Sequence, residues 1–533
     1  MNALASDPRR LFWGAIAATI ALRFVLAWWL PVTGDEAYFV YWGESPALGV
    51  YDHPPMVGWF LAALLAVGHS PVWIRLPAIL APALVAIAMR ATVTELARGR
   101  PDARSLGDWA ALAWLLVPVQ VLNVLITTDT PLLLFSFASI AAYALAVRRR
   151  SLALCALAGV ALGLAFLSKY FAVLLGLAYV VYAAAIGRDA RAWRELAVVV
   201  ACAVPFGLVN LAWNYEHCWA NLMFNVYNRH AGAGFAWYRP LVFLALLVYV
   251  AGALLLFDLA CGRRMLRESI RDPAVALLAA CAAVPTAVFF VLSAVKTIGL
   301  HWLFAFMPPL FMAGALVLGP ARLAASAKSL AAFSAVHLVV VAVVAVLPLE
   351  TWQRSRYYDS LVMGFRPGEF LAALQPYAGR YVFAASSYAV ASLLSYDAAE
   401  QGFIARSGAA GDGPEPWRAH YFPVFGAGSA NGRHDDILTD FRPLDGKDIL
   451  VVRKTAAEAE EYRPYFRSIE MREITVRGAK YFLVLGQGFN YAAYRDRVLA
   501  EVRDRYYRIP RYLPQGRCYL CERYWATATC PVP

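Results

Sequence analysis

The sequence predicts a polytopic α-helical membrane protein of about eleven transmembrane helices, followed by a C-terminal extracytoplasmic α/β domain. The first observation is composition, because 61% of the 533 residues are hydrophobic and 16% are charged, against about 25% charged residues in ordinary soluble domains. The second is the recurrence of apolar runs long enough to cross a bilayer. This composition excludes intrinsic disorder, a nucleic-acid-binding tail and a small disulfide scaffold.

The transmembrane helices are predicted from apolar runs that alternate with polar loops. The predicted spans cover residues 11–30, 72–97, 106–125, 130–147, 151–167, 170–187, 195–213, 240–261, 273–294, 301–319 and 329–349. The first run follows Arg9 and Arg10 without a small-x-small cleavage site, which predicts an uncleaved helix rather than a signal peptide. Residues 55–68 are apolar but too short to span, which favours a helix at the membrane interface.

Positive charge is distributed unevenly among the predicted loops. The loops on the side of the N-terminus contain 18 Lys and Arg residues, and the loops on the other side contain 5. Cytoplasmic loops carry the excess of Lys and Arg, so the N-terminus is predicted to lie in the cytoplasm. We therefore expect a transmembrane domain over 1–349 with an outer loop at 31–71, and an extracytoplasmic domain over 350–533.

The C-terminal region has the patterns of a folded α/β domain. Residues 381–385, 448–452 and 481–485 read as strands between helical patterns. Cys518 and Cys521 form a lone CxxC, which is weak support for zinc. On the outer side of the membrane, a disulfide among these two cysteines and Cys530 is the favoured interpretation.

The first outer loop contains acidic residues that membrane insertion does not require. Asp35 and Glu36 follow the first span, and Asp52 and His53 precede two prolines. A carboxylate at the membrane surface is suited to act as a base, and an acidic residue beside a histidine is suited to hold a divalent ion. The alternative is a solvated loop whose carboxylates cap helices.

Further polar residues are assigned to the same membrane face. Asp129 opens a span before Thr130 and Pro131, where it is either a helix N-cap or a site residue. Lys169 and Lys296 are suited to bind the phosphate of a lipid-linked substrate, and snorkelling to the headgroups is the alternative.

Loop 214–240 is the third polar region on this face. It contains His217, Arg229 and His230 among aromatic residues. This composition suits sugar or metal binding, and a packed interfacial loop is the alternative.

Taken together, these residues resemble a known family. The order Asp35-Glu36-Ala-Tyr, then Tyr-Asp52-His53-Pro-Pro, then Asp129 before Pro131, then Lys169, is similar to the bacterial branch of the protein O-mannosyltransferase superfamily. This branch includes the aminoarabinose transferases of lipid A. The resemblance covers roughly residues 10–320 and is strongest over 34–60. The members of this superfamily are integral-membrane glycosyltransferases of the GT-C fold.

The resemblance implies a polyprenyl-phosphate-sugar donor and an inverting transfer. It places the family's catalytic position at Asp35, and Glu36 and Asp129 are the further catalytic candidates. Asp52 matches an acidic residue that helps hold a divalent metal in aminoarabinose transferases, where the next residue is Lys instead of His53. A histidine ligand would come from His217 or His230. The substrate-binding candidates are Lys169, Lys296, His301, Arg229 and Tyr38.

The expected partners are the polyprenyl-phosphate-sugar donor, the lipid bilayer and an envelope lipid, glycan or protein acceptor. The expected location of the protein is the inner membrane of a bacterium. We expect no nucleic acid and no nucleotide cofactor, since no Gly-rich motif of Walker or Rossmann form occurs. Two alternatives stay open. A transporter would place charges near the bilayer midplane, where Arg23 is the main charge within a span. A lipid-linked glycan polymerase or ligase would also work at the outer face.

Overall fold

The structure is a computed structural model, and it describes residues 7–230, 234–405, 419–426, 439–527 and 530. The chain divides into two compact units, each made of discontinuous segments. Unit 1 comprises Met1–Trp29, Arg75–Val209 and Gly232–Val346, and unit 2 comprises Leu30–Ile74, Asn210–Ala231 and Leu347–Pro533.

The helices of the first half of the chain are α1 (Pro8–Trp29), α2 (Gly34–Glu44), α3 (Met56–Leu65), α4 (Pro71–Ile74), α5 (Leu76–Leu96), α6 (Ala103–Leu115), α7 (Pro118–Leu122), α8 (Asp129–Arg149), α9 (Leu152–Ser168), α10 (Ala172–Val181), α11 (Ala190–Glu216), α12 (Ala220–Val226), α13 (Arg239–Ala251) and α14 (Ala253–Cys261). Those of the second half are α15 (Arg263–Ser269), α16 (Pro273–Ser293), α17 (Pro308–Leu318), α18 (Pro320–Val346), α19 (Tyr358–Phe365), α20 (Pro367–Leu374), α21 (Tyr388–Gln401), α22 (Ala459–Tyr462), α23 (Tyr491–Tyr494), α24 (Ala500–Tyr506) and α25 (Tyr519–Trp525). The strands are β1 (Val382–Ala385), β2 (Ile449–Arg453), β3 (Phe466–Val476) and β4 (Ala479–Phe489).

Within the described residues, 6 helices are long and apolar enough to cross a membrane, or up to 8 if each of two bent helix pairs is one span. The predicted count of eleven is not confirmed. Three predicted spans correspond to shorter helices. Helix α6 has 13 residues, α9 has 17 and α10 has 10. A helix rises about 1.5 Å per residue, so these fall at or below the length that crosses the hydrocarbon core.

The core of unit 1 is a continuous helical packing in which α8 lies against α9 and α5 lies against α6. The Arg23 side chain in α1 is fully buried there. Its guanidinium Nε donates to the carbonyl oxygen of Gln120 at 2.9 Å. Backbone carbonyls therefore accept the hydrogen bonds of this guanidinium within the helical bundle, so Arg23 has a structural role.

Unit 2 is built around a four-stranded sheet in the order β1-β2-β4-β3. Strands β1 and β2 are parallel, and the other two pairs are antiparallel. Alternate residues of β1 and β2 enter two different hydrophobic clusters, so both faces of the central strands are covered. The three strands predicted from the sequence are confirmed, and β3 was not predicted.

The segment Leu30–Ile74 of unit 2 is anchored by neighbouring helices. Helix α2 packs against α3 and α21. A Cβ on Gly34 would lie 2.7 Å from the carbonyl oxygen of Ala389, so only glycine allows α2 to approach α21 this closely. In α12, the side-chain amides of Asn221 and Asn225 donate to the carbonyl oxygens of Val50 and Asp52, at 2.8 and 2.9 Å.

Candidate functional site

Helix α2 begins with two adjacent carboxylates that have different surroundings. Thr33 is the N-cap, and its hydroxyl accepts from the backbone N–H of Glu36. The Glu36 carboxylate accepts from the backbone N–H of Thr33 at 3.0 Å, which completes a capping box. Glu36 is fully buried, whereas Asp35 is exposed in the first turn of the helix. Glu36 therefore orders the helix, and Asp35 is the carboxylate accessible to a substrate.

The Asp35 carboxylate has a partner in the C-terminal part of the chain. The phenol of Tyr388, the first residue of α21, donates to Asp35 Oδ1 at 2.8 Å. The Tyr388 ring also meets the ring of Tyr38 edge-on, with centroids 5.1 Å apart. Tyr38 is buried among aromatic neighbours, so the structure brings this predicted substrate-binding residue beside Asp35.

Asp52 and His53 are both buried in unit 2, and His53 Nδ1 lies 3.3 Å from Asp52 Oδ1. Carboxylate and imidazole are both ligands of divalent ions. Within the described residues, the only group of three potential metal-ligand side chains is Cys518, Cys521 and Cys530. Among the described residues, no third such ligand is grouped with the Asp52–His53 pair.

The predicted metal ligand His217 has structural contacts of its own. Its Nδ1 lies 2.8 Å from the carbonyl oxygen of Trp213, and its ring stacks on the Trp213 ring at 4.3 Å. Burial lowers the pKa of His217 below its usual value. The alternative ligand His230 has a side chain outside the described part of the structure.

In unit 1, Asp129 and Lys169 form a buried ion pair. The Lys169 ammonium donates to both carboxylate oxygens of Asp129 at 2.8 Å, and the two residues are 6% and 5% exposed. Asp129 begins α8, and Lys169 is the C-cap of α9. The pair therefore joins the ends of two adjacent helices, and Asp129 compensates the charge of Lys169.

Aromatic residues lie beside the Lys169 ammonium of this ion pair. The Lys169 ammonium lies 5.1 Å from the centroid of the Phe171 ring, which packs at 4.7 Å against Trp302. His301 precedes Trp302 and is exposed, and Lys296 is half-buried just beyond the end of α16. Unit 1 thus brings Lys169 and His301 next to the aromatic rings of Phe171 and Trp302.

Arg229 belongs to unit 2, where it is half-buried in the short turn Asn228–His230 after α12. The neighbouring Asn228 amide donates to the carbonyl oxygen of Tyr506 at 3.2 Å. This turn is therefore linked to the end of α24.

Two disulfides involve the C-terminal cysteines. The predicted disulfide within this group is confirmed for Cys521 and Cys530, and Cys518 pairs with Cys218 across 300 residues. The sulfurs that lie together are thus engaged in disulfides, so they do not constitute a metal site.

Three residues that contact the predicted site segment 31–71 were not identified from the sequence: Tyr388, Asn221 and Asn225. The two asparagines stand four residues apart in an apolar helix, which is a recognisable sign of polar contacts on one helix face. For Tyr388 no local pattern exists, because it is separated from Asp35 by 353 residues.

The long apolar helices, together with the small sheet of unit 2, are those of a multi-pass membrane protein. Residues 52–213 match the family model described as dolichyl-phosphate-mannose-protein mannosyltransferase. The apo crystal structure of ArnT from Cupriavidus metallidurans aligns with a TM-score of 0.56 and 18% identity, over 89% of this chain and 97% of that chain. The predicted polytopic helical fold with a small C-terminal sheet and the predicted resemblance are confirmed, whereas the number of spans is not.

Two further relatives are informative. The crystal structure of the same ArnT bound to undecaprenyl phosphate aligns with a TM-score of 0.53 and 16% identity, over 89% of this chain and 97% of that chain. The lipid A galacturonosyltransferase RgtD from Rhizobium johnstonii is 31% identical over 186 residues, which is 34% of this chain. The match spans 38% of the length of RgtD. The transporter and polymerase alternatives are not favoured by these relatives.

Proposed function

We propose that this protein is an inverting glycosyltransferase that moves a sugar from a polyprenyl-phosphate-linked donor to an acceptor in the bacterial envelope. The observation that carries the proposal is an exposed carboxylate, Asp35, at the start of α2 in a chain with the fold of ArnT. The likeness to RgtD supports lipid A as the first acceptor to test and galacturonate as the first sugar. A membrane enzyme suits this chemistry, because the polyprenyl chain keeps the donor in the bilayer.

Asp35 is the proposed general base. The acceptor oxygen attacks the anomeric carbon, and the bond from that carbon to the phosphate oxygen breaks on the opposite face of the sugar. The polyprenyl phosphate leaves with the bonding electron pair, and Asp35 takes the acceptor proton. Since phosphate is a good leaving group, the reaction requires no strong general acid. If the acceptor is itself an ionised phosphate, it requires no base, and Asp35 orients the acceptor or stabilises the charge that develops on the sugar.

The other candidates take supporting roles in the proposal. Lys296 and His301 contact the donor phosphate, because ammonium and imidazole groups suit phosphate oxygens. Lys169 contributes to donor binding, and the Asp129 carboxylate holds its ammonium in place. Arg229 and Tyr38 of unit 2 contribute to substrate binding.

A divalent cation is compatible with part of the predicted ligand set. Asp52 and His53 present one carboxylate and one imidazole side by side. One carboxylate and one imidazole would suit a borderline divalent ion better than Mg²⁺, which prefers oxygen ligands alone; water and substrate phosphate would complete its shell. When bound, the cation would neutralise charge on the leaving phosphate. Asp52 and His53 are the residues proposed to hold it.

We place the N-terminus in the cytoplasm and unit 2 in the periplasm. The loop-charge bias of 18 to 5 supports this orientation. The disulfides Cys218–Cys518 and Cys521–Cys530 support it independently, because disulfides form and persist in the periplasm and are rare in the cytoplasm.

The proposal is tested by turnover in detergent. The purified full chain is incubated with polyprenyl-phosphate galacturonate and lipid A, and mass spectrometry follows the mass gain of lipid A and the release of polyprenyl phosphate. A panel of other polyprenyl-phosphate sugars is run in parallel. Transfer without a sealed membrane is the expected result. Absence of transfer from every donor to lipid A or to extracted envelope acceptors would contradict the proposal.

A further inference from the structure

A tyrosine from the C-terminal part of unit 2 contacts the proposed base directly. Tyr388 Oη donates to Asp35 Oδ1 at 2.8 Å. Both residues lie in the first turn of their helices, α21 and α2, which pack against each other within unit 2. We infer that Tyr388 is a positioning residue that sets the orientation of the Asp35 carboxylate. This inference rests on the proposed function of Asp35.

The position of Tyr388 relative to Asp35 is fixed by packing. The Tyr388 ring meets the buried Tyr38 ring at 5.1 Å and 60°. At the next residue of α21, the Ala389 carbonyl lies so close to Gly34 that a Cβ there would stand only 2.7 Å away. The two helices therefore cannot slide past each other without a clash or a loss of ring contact. A rigid support of this kind is what a precisely oriented catalytic group requires.

A hydrogen bond to one carboxylate oxygen restricts rotation of the whole carboxylate. With Oδ1 held by the phenol, the direction of Oδ2 is also set, because the two oxygens share one plane. A general base must bring an oxygen within about 2.6–3.2 Å of the hydroxyl that it deprotonates. The Tyr388 proton stays on the phenol throughout, and Asp35 takes the acceptor proton. Tyr388 therefore acts on the reaction through Asp35.

The test removes the hydroxyl and keeps the ring. Tyr388→Phe should lower kcat by about tenfold, the effect expected for one hydrogen bond to a charged group, and leave KM for the polyprenyl-phosphate donor unchanged. Tyr396→Phe is the matched control. It lies on the same helix, and its hydroxyl donates to the carbonyl oxygen of His69 at 2.8 Å, so it also links α21 to segment 30–74 without touching Asp35. It should keep the wild-type kcat.

A double-mutant cycle separates this inference from the proposed function. In the Asp35→Asn background, Tyr388→Phe should cause no further loss of kcat, because the group on which it acts is already altered. Wild-type kcat in Tyr388→Phe together with a loss in Asp35→Asn would overturn the inference alone. Full activity in Asp35→Asn would overturn the proposed base. Tyr388→Phe and Tyr396→Phe could also lose the same amount of kcat and the same amount of thermal midpoint. Tyr388 would then be only a structural contact, and the inference would be overturned.

Discussion

The two carboxylates at the start of α2 show how residue type alone leaves a role undecided. Asp35 and Glu36 are adjacent in the sequence, yet one is exposed and the other is buried in a capping box with Thr33. The spacing Thr-x-x-Glu is itself a capping-box pattern, so the role of Glu36 was readable from the sequence. The partner of Asp35 was not, because no local rule connects it to Tyr388.

The capping role of Glu36 leads to a prediction about stability. Glu36→Ala should lower the free energy of unfolding by about 1 kcal/mol, since the Thr33 N–H loses its acceptor. Glu36→Gln should retain most of this stability, because a glutamine oxygen also serves in a capping box. Thermal unfolding of the purified variants measures both effects. A Glu36→Gln protein of wild-type stability but without turnover would transfer the catalytic role to Glu36.

At the scale of elements, the Asp129–Lys169 pair links the start of α8 to the end of α9. Removing one partner leaves a buried charge uncompensated, which costs about 3–5 kcal/mol. Asp129→Ala and Lys169→Ala should therefore each destabilise the protein strongly. The double variant should lose much less stability than the sum of the two single variants, as measured by unfolding in detergent. Additive losses would show that the two side chains do not act as a pair.

The elements also show which parts of the fold were predictable. Strands β1, β2 and β4 were found because each contains a run of apolar, mostly buried residues. Strand β3 was missed because it lies at the sheet edge, where Arg467, Glu470 and Arg472 interrupt the apolar pattern. Charges at an edge discourage pairing with other chains, and they also hide the strand from pattern reasoning.

The bent helix pairs were beyond prediction for a different reason. Residues 240–261 read as one continuous apolar run, but α13 and α14 meet at 96° around Gly252. Hydropathy reports how apolar a segment is, whereas the direction of each helix depends on its packing partners. The predicted count of spans therefore came from composition, which carries no information on such bends.

At the scale of the whole molecule, the cysteines form two chemically distinct sets. Cys155, Cys202, Cys261 and Cys281 are free thiols, and the remaining four form Cys218–Cys518 and Cys521–Cys530. The free thiols all belong to unit 1, and both disulfides belong to unit 2. This division agrees with the proposal that unit 2 lies in the oxidising periplasm.

The two sets predict the outcome of thiol labelling. Alkylation of the protein under denaturing conditions without a reductant should modify the four free thiols only, and peptide mass spectrometry should recover Cys218 linked to Cys518. Reduction before alkylation is the control and should expose all 8 cysteines. Alkylation of Cys518 or Cys521 without reduction would contradict the disulfides and remove their support for the orientation.

The central claim is that Asp35 provides base catalysis in transfer from a polyprenyl-phosphate sugar. Its most direct test is the turnover rate of purified Asp35→Asn, which keeps the shape of the side chain and removes its basicity. The matched control is Glu44→Gln, a neutralised carboxylate at the other end of α2. For a hydroxyl acceptor, Asp35→Asn should lose about 10²–10⁴-fold in kcat with donor binding retained, and Glu44→Gln should remain active. Wild-type turnover by Asp35→Asn would contradict the account.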